Sequence, residues 1–227
     1  MFLPLHDSNP IRHIAFPWVT YGLMAVTTLI FAAQSLLSPI GFLQVAIEWG
    51  MIPVVVRDIY PQPVPWLPDW ATLFTYAFLH ADWLHLATNM LFLWVFGDNI
   101  EDALGHLRFL LFYLGCAAGA ALLHLLFDPN STTPLIGASG AVAGVMGAYC
   151  LLYPHARVYV LARIVIPIPL PVPAFWMLGV WIAIQIANVL MGSLEPVSWW
   201  AHLGGFATGM VLAAIGKRPQ VALLGGR

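Results

Sequence analysis

The sequence predicts an all-α membrane protein, a bundle of six transmembrane helices with a long first connection at the outer membrane interface. Three observations carry that expectation. Of the 227 residues, 61% are hydrophobic and 8% charged, whereas soluble domains carry roughly 25% charged residues. Such a chain cannot cover itself with a water-compatible surface. Apolar runs near the length needed to cross ~30 Å of hydrocarbon occur at about 14–37, 83–100, 109–127, 137–153, 174–192 and 197–216. The cations are also unevenly shared between the two sides of these runs. Arg12, Arg108, Arg157, Arg163, Lys217, Arg218 and Arg227 fall on one side and Arg57 on the other. By the positive-inside rule this puts both termini in the cytoplasm, so spans two, four and six run from outside to inside.

Taken in order, the first fifteen residues contain no apolar core of a leader, so no cleavable signal peptide is expected. The connection at about 38–82 is rich in Pro and Trp (Trp49, Trp66, Trp70), a composition suited to the membrane interface. Spans two and four are short and contain polar residues. "PIPLPVP" (167–173) cannot be helical, because proline at every second position removes donors and fixes φ. It reads as an extended entry into span five. Internal repeats are not evident, so residues 1–227 read as a single membrane domain, with a core of about 14–216 and short cytoplasmic tails. Cys116 and Cys150 both lie in apolar spans, where a structural disulfide is not expected. A net charge of −2 gives no reason to expect a nucleic-acid partner.

This topology gathers the unusual polar residues at one level. Ser139 starts span four on the outer side. His202 lies about five residues into span six, ~8 Å below its outer end. His85 and Asn89, at i and i+4 on one helical face, open span two. Polar groups inside a bilayer are costly and usually face the bundle interior, where they mark functional sites.

Each residue has a plainer reading. Ser139, among Gly137, Gly140, Gly144 and Gly147, fits a helix-packing serine. Gly205 and Gly209 form a second small-residue face. If the faces of Gly140/Gly144 and Gly205/Gly209 meet, spans four and six touch backbone to backbone and His202 is carried towards Ser139. A serine hydroxyl is a poor nucleophile unless a base takes its proton, and histidine is the usual base. Spans four and six hold no carboxylate to orient the imidazole, so the pair would act as a dyad. "GASGA" is not the hydrolase nucleophile elbow, since Ala141 stands where the final glycine would be. His85 and Asn89 suit donors to a developing oxyanion better than metal ligands, and neither a metal nor another cofactor is called for. His80 reads as structural, and His124 has no evident partner. The carboxylates of "GDNIEDALGHLR" (97–108) read as caps and ion-pair partners of Arg108, on the opposite side from the Ser–His pair.

With these residues in view, the chain resembles the rhomboid family of intramembrane serine proteases, prokaryotic type. The likeness covers about residues 70–216, through "FTYAFLHADWLHLATN", "GDNIEDALG", "GASGAVAG" and "AHLGGFATG". It implies the rhomboid six-helix bundle, with a water-filled cavity open to the outer side of a bacterial inner membrane. It also implies Ser139 as nucleophile, His202 as general base and acid, and an oxyanion hole of His85, Asn89 and the Ser139 backbone N–H. The implied substrates are single-span membrane proteins, cut in or beside the span next to a small residue. Two departures stand out. "WATLFT" replaces the Trp-Arg pair that many members carry in the first connection, so this connection would be anchored differently. Ala143 stands where many members place an aromatic that stacks on the catalytic histidine, so the residues alone do not show what orients the His202 ring. The competing classes are a catalytically silent binder of membrane proteins and a transporter. The first would be expected to lack Ser139 or His202. The second would be expected to show broken-helix repeats or mid-membrane carboxylates in spans four to six.

Overall fold

A computed structural model describes residues 3–162, 168–193 and 197–225. Arg163, Arg227 and Pro167 of the sequence readings lie outside the described residues. The long helices are α1 (Trp18–Ser35), α5 (Trp83–Leu104), α6 (His106–Phe127), α7 (Ser139–Leu152), α8 (Ala174–Met191) and α9 (Trp199–Gly216). By length and composition, α1, α6 and α8 are each long and apolar enough to cross a membrane. Leucines and tryptophans on several long helices face outward, among them Leu29, Leu107, Leu126, Trp176 and Leu190. That inversion suits a lipid solvent.

Helix α7 is the hub, packed by α5, α6, α8 and α9. Every residue from Gly140 to Tyr149 is buried, so it has no polar face to show, as expected of a central helix. Its 14 residues span only ~21 Å at 1.5 Å per residue. A helix this short does not reach across ~30 Å of hydrocarbon, and Ser139 at its first position lines an internal cavity. Helix α9 lies against it with glycine on both sides. A β-carbon on Gly209 would stand 2.0 Å from the Gly144 carbonyl oxygen, and one on Gly144 would strike the Cys116 sulfur of α6 at 2.4 Å. Only glycine allows this approach.

The first connection is folded rather than irregular. Ser38 caps α2 (Pro39–Trp49) by accepting from the Gly41 N–H, and one-turn helices follow at α3 (Pro53–Val56) and α4 (Thr72–Thr75). Bonds to the rest of the chain and within the connection hold it in place. Met51 and Leu135 exchange both backbone hydrogen bonds, at 3.1 and 2.8 Å. The Thr75 hydroxyl donates to the Trp49 carbonyl at 2.6 Å. Arg57 donates to the Pro129 carbonyl and to Asn130, each at 3.0 Å. Thr75 belongs to the "WATLFT" stretch, so that substitute sequence ties the connection to its own helix α2.

At the opposite end of the bundle, β1 (Leu3–Asp7), β2 (Arg157–Ala162) and β3 (Ile168–Pro173) form an antiparallel sheet in the order β1-β2-β3. The segment expected to be extended is thus an edge strand, where Pro169, Pro171 and Pro173 leave one side without donors. The expected role of the "GDNIEDALG" carboxylates holds in part: they cap, but among the described residues their ion-pair partners are His13 and His106 rather than Arg108. The buried Glu101 accepts from the backbone N–H groups of Val19 and Thr20, at 3.0 and 2.7 Å, from the Thr20 hydroxyl at 2.7 Å, and bonds His106. Asp102 accepts from the N–H groups of Arg12, His13 and Ile14, and from the His13 ring. The two carboxylates satisfy orphan donors at the start of α1 and in the segment before it. Asp7 takes a hydrogen bond from the Tyr149 hydroxyl, tying β1 to the far end of α7.

Candidate active site

The backbone entering α7 shapes the site. Gly137 has φ +118°, and a β-carbon there would lie 2.6 Å from the His85 ring. Glycine is required twice over, for the dihedral and for the clearance. Its N–H donates to the Tyr76 carbonyl at 3.0 Å. Ala138 N–H points at His80 Nε2, 3.4 Å away. Burial, with His85 beside it, pushes His80 down to about 3, so the ring is a neutral acceptor. Helix α7 then begins at Ser139, and no side chain caps its first turn.

Ser139 Oγ lies 2.9 Å from Nε2 of His202 on α9. The pair sits on two different helices, held by the glycine face described above: Gly205 is three residues beyond His202, and its β-carbon position would fall 1.9 Å from the Gly140 carbonyl oxygen. His85 and Asn89 come from the first turns of α5, whose N-terminus Asp82 caps by accepting from the His85 N–H at 2.8 Å. Asn89 is 6% exposed. One of its amide hydrogens goes to the His85 carbonyl at 3.1 Å, which leaves the second for another acceptor. Ser139, His202, His85 and Asn89 all line one cavity of about 1150 Å³. Its lower wall is apolar, with Phe92, Val142 and Met146. His124 reaches the same cavity from α6. Among the described residues, no group of three or more His, Cys, Asp or Glu is placed to hold a metal ion.

Sequence reasoning missed one residue. Gln185, in the middle of α8, bonds His202 Nδ1 through Oε1 at 2.7 Å. Trp181 and Trp199 flank the same imidazole, with ring centroids at 5.7 and 6.1 Å. The available signal was an amide within the apolar run "WIAIQIANVL", which holds Gln185 and Asn188, since an uncompensated amide is expensive in an apolar span.

A helical bundle with lipid-suited surfaces and a Ser–His pair lining an internal cavity defines a membrane-integral protein with a candidate site inside the bundle. The rhomboid-domain family model matches residues 68–219, and the chain belongs to the rhomboid family. Among curated proteins it is similar to mitochondrial rhomboid protein 1 of Saccharomyces cerevisiae, 32% identical over 60% of this chain and 38% of that protein. Chloroplastic rhomboid-like protein 11 of Arabidopsis thaliana is 31% identical over 69% of this chain and 56% of its own length. The rhomboid protease GluP of Bacillus subtilis is 31% identical over 70% of this chain and 28% of its own. The chain therefore spans roughly a quarter to just over half of these relatives' lengths.

Proposed function

We propose that this protein is an intramembrane serine endopeptidase that cuts single-span membrane proteins in or beside their membrane segment. The observation that carries the reading is the 2.9 Å contact between Ser139 Oγ and His202 Nε2 inside a cavity large enough for an extended peptide. Membership of a family that includes a named protease supports it.

In this reading six helices span a bacterial inner membrane as one domain, both termini are cytoplasmic and the cavity opens outward, in keeping with the seven-to-one distribution of cations. Ser139 Oγ attacks the scissile carbonyl carbon while His202 Nε2 takes its proton. The carbonyl π electrons move to oxygen, and the resulting oxyanion is met by His85, the free Asn89 amide hydrogen and the Ser139 backbone N–H. Collapse breaks the C–N bond, and the leaving amine takes the proton from His202. Water, deprotonated by His202, then releases the acyl group and restores Ser139. A helical substrate must unwind to expose its carbonyl, and backbone leaving the helix in lipid needs new polar partners, which the cavity supplies.

The test is mass spectrometry of the products from a single-span substrate reconstituted with this protein. The expected cuts fall near the outer end of the span, next to a small residue, and weaken when the span's Gly and Pro are replaced by Leu. Cuts at the cytoplasmic end would contradict the proposed orientation, and an uncut substrate would contradict the activity.

A further inference from the structure

We propose that Gln185 is the positioning residue for His202: its amide selects the imidazole tautomer that can accept the Ser139 proton, in place of the carboxylate of a triad. The inference rests on the Ser139–His202 reading above.

The amide has only one workable orientation. Gln185 Nε2 donates to the Trp181 carbonyl one turn back, at 3.2 Å. Oε1 is therefore the atom that faces His202 Nδ1 at 2.7 Å. An amide oxygen only accepts, so Nδ1 must carry the hydrogen. In a neutral imidazole that leaves Nε2 unprotonated, and its lone pair points at Ser139 Oγ. The protonation state needed in a general base thus follows from a hydrogen bond on another helix. Gln185 is 4% exposed, so losing its partner would strand a buried polar atom. Asn188, one turn further along α8, is the contrast. It is only half-buried and turns back to the Ile184 carbonyl of its own helix at 2.9 Å.

The arrangement also answers the gap left by Ala143, which has no ring to lay against the histidine. Gln185 fixes the in-plane direction of the imidazole, and Trp181 and Trp199 confine its tilt. A neutral amide orients the ring but stabilises the imidazolium less than a carboxylate would. The titratable group facing His202 from the other helices is His85 on α5, and Asp82, His124 and Asp128 line the same cavity. The pH response is therefore read as a difference between variants that leave those groups intact.

The test uses the full chain in detergent, with a fluorogenic single-span peptide and a fluorophosphonate probe. Gln185→Leu keeps the size and removes the acceptor. It is expected to lower kcat on the order of 100-fold, the scale of a misplaced general base, with KM changed less than twofold. Gln185→Glu restores an acceptor and adds charge. It is expected to recover most of the turnover and to move the acid limb of the kcat/KM profile to higher pH, since a neighbouring carboxylate favours the imidazolium. Full kcat in Gln185→Leu, or an acid limb in Gln185→Glu superimposable on the wild type, would overturn the proposal. If Gln185→Leu does not fold, the Gln185→Glu profile decides alone. Probe labelling separates the two levels of failure. Wild-type labelling at a residue other than Ser139 would refute the dyad itself, whereas labelling at Ser139 that is indifferent to Gln185 refutes only this role.

Discussion

Gly205 of α9 faces Gly140 of α7 so closely that a β-carbon on it would lie 1.9 Å from the Gly140 carbonyl oxygen. The same contact surface carries Ser139 on one helix and His202 on the other, so the separation of two backbones sets the separation of Ser139 Oγ and His202 Nε2. Gly205→Ala is expected to lower stability by about 1–3 kcal/mol, the usual cost of overpacking, and to reduce turnover further by parting Ser139 from His202. Gly179→Ala on α8, where a β-carbon meets nothing within 4 Å, serves as the control and should be neutral. Thermal unfolding in detergent and a cleavage assay on the same samples check both.

The long helices were legible because apolar runs interrupted by Pro, Gly and charge mark where a chain enters and leaves hydrocarbon. The six runs and the long helices agree within a few residues at most ends. The sheet was not legible. Prolines at 169, 171 and 173 announce extended backbone, but the pairing of β2 with Leu3–Asp7 joins segments some 150 residues apart and leaves no local signature. Helix α2 did leave one that went unread, a Ser38 cap followed by Pro39 at the first turn. In the site, Ser139 and His202 stood out as polar residues in apolar spans with glycines close by in the chain. Gln185 did not, because its partner is on a different helix and only the folded chain shows which face of α8 is buried. The capping role of Glu101 and Asp102 was read correctly but the Arg108 partner was not, because the N–H groups and histidines they meet belong to other segments of the fold.

Glu101→Ala should strike stability and spare chemistry. It leaves the Val19 and Thr20 donors without their acceptor at the end of the bundle far from Ser139. Each stranded buried donor costs about 1–3 kcal/mol, so a loss of at least ~2 kcal/mol is expected, with probe labelling per folded molecule unchanged. Glu101→Gln, which keeps an acceptor, should fall between. Chemical denaturation followed by intrinsic fluorescence reads the difference.

Asp7 predicts a pH signature. Burial, reinforced by Asp98, pushes its carboxyl up to about 6 against the opposing hydrogen bond from Tyr149. Between the ordinary carboxylate value and about 6 the folded chain holds a proton that the unfolded chain releases, so this group's contribution falls as pH rises through that window and is constant above it. Asp7→Asn keeps a neutral acceptor for Tyr149 and Asn99. The melting temperature of Asp7→Asn minus that of the wild type should therefore grow from pH 4 to 6 and then level off. A flat difference would contradict the raised value.

Asn89→Ala removes a proposed oxyanion donor without opening the fold, since its one internal bond is to its own helix. Loss of such a donor costs roughly 2.7–4 kcal/mol of transition-state stabilisation where it has been measured, and His85 can soften the effect. A kcat reduced at least tenfold with KM little changed is expected. Combining it with His85→Ala should deepen the loss, and full activity in the double variant would remove both from the oxyanion hole.

The central claim is that Ser139 is a nucleophile activated by His202, and the most direct test is the rate of fluorophosphonate labelling, with the modified residue identified by peptide mass mapping. The expected adduct is on Ser139. Labelling should be absent in Ser139→Ala and nearly absent in His202→Ala, because members of one catalytic unit do not contribute additively. Labelling that persists in Ser139→Ala, or a His202→Ala variant labelled at the wild-type rate, would contradict the account.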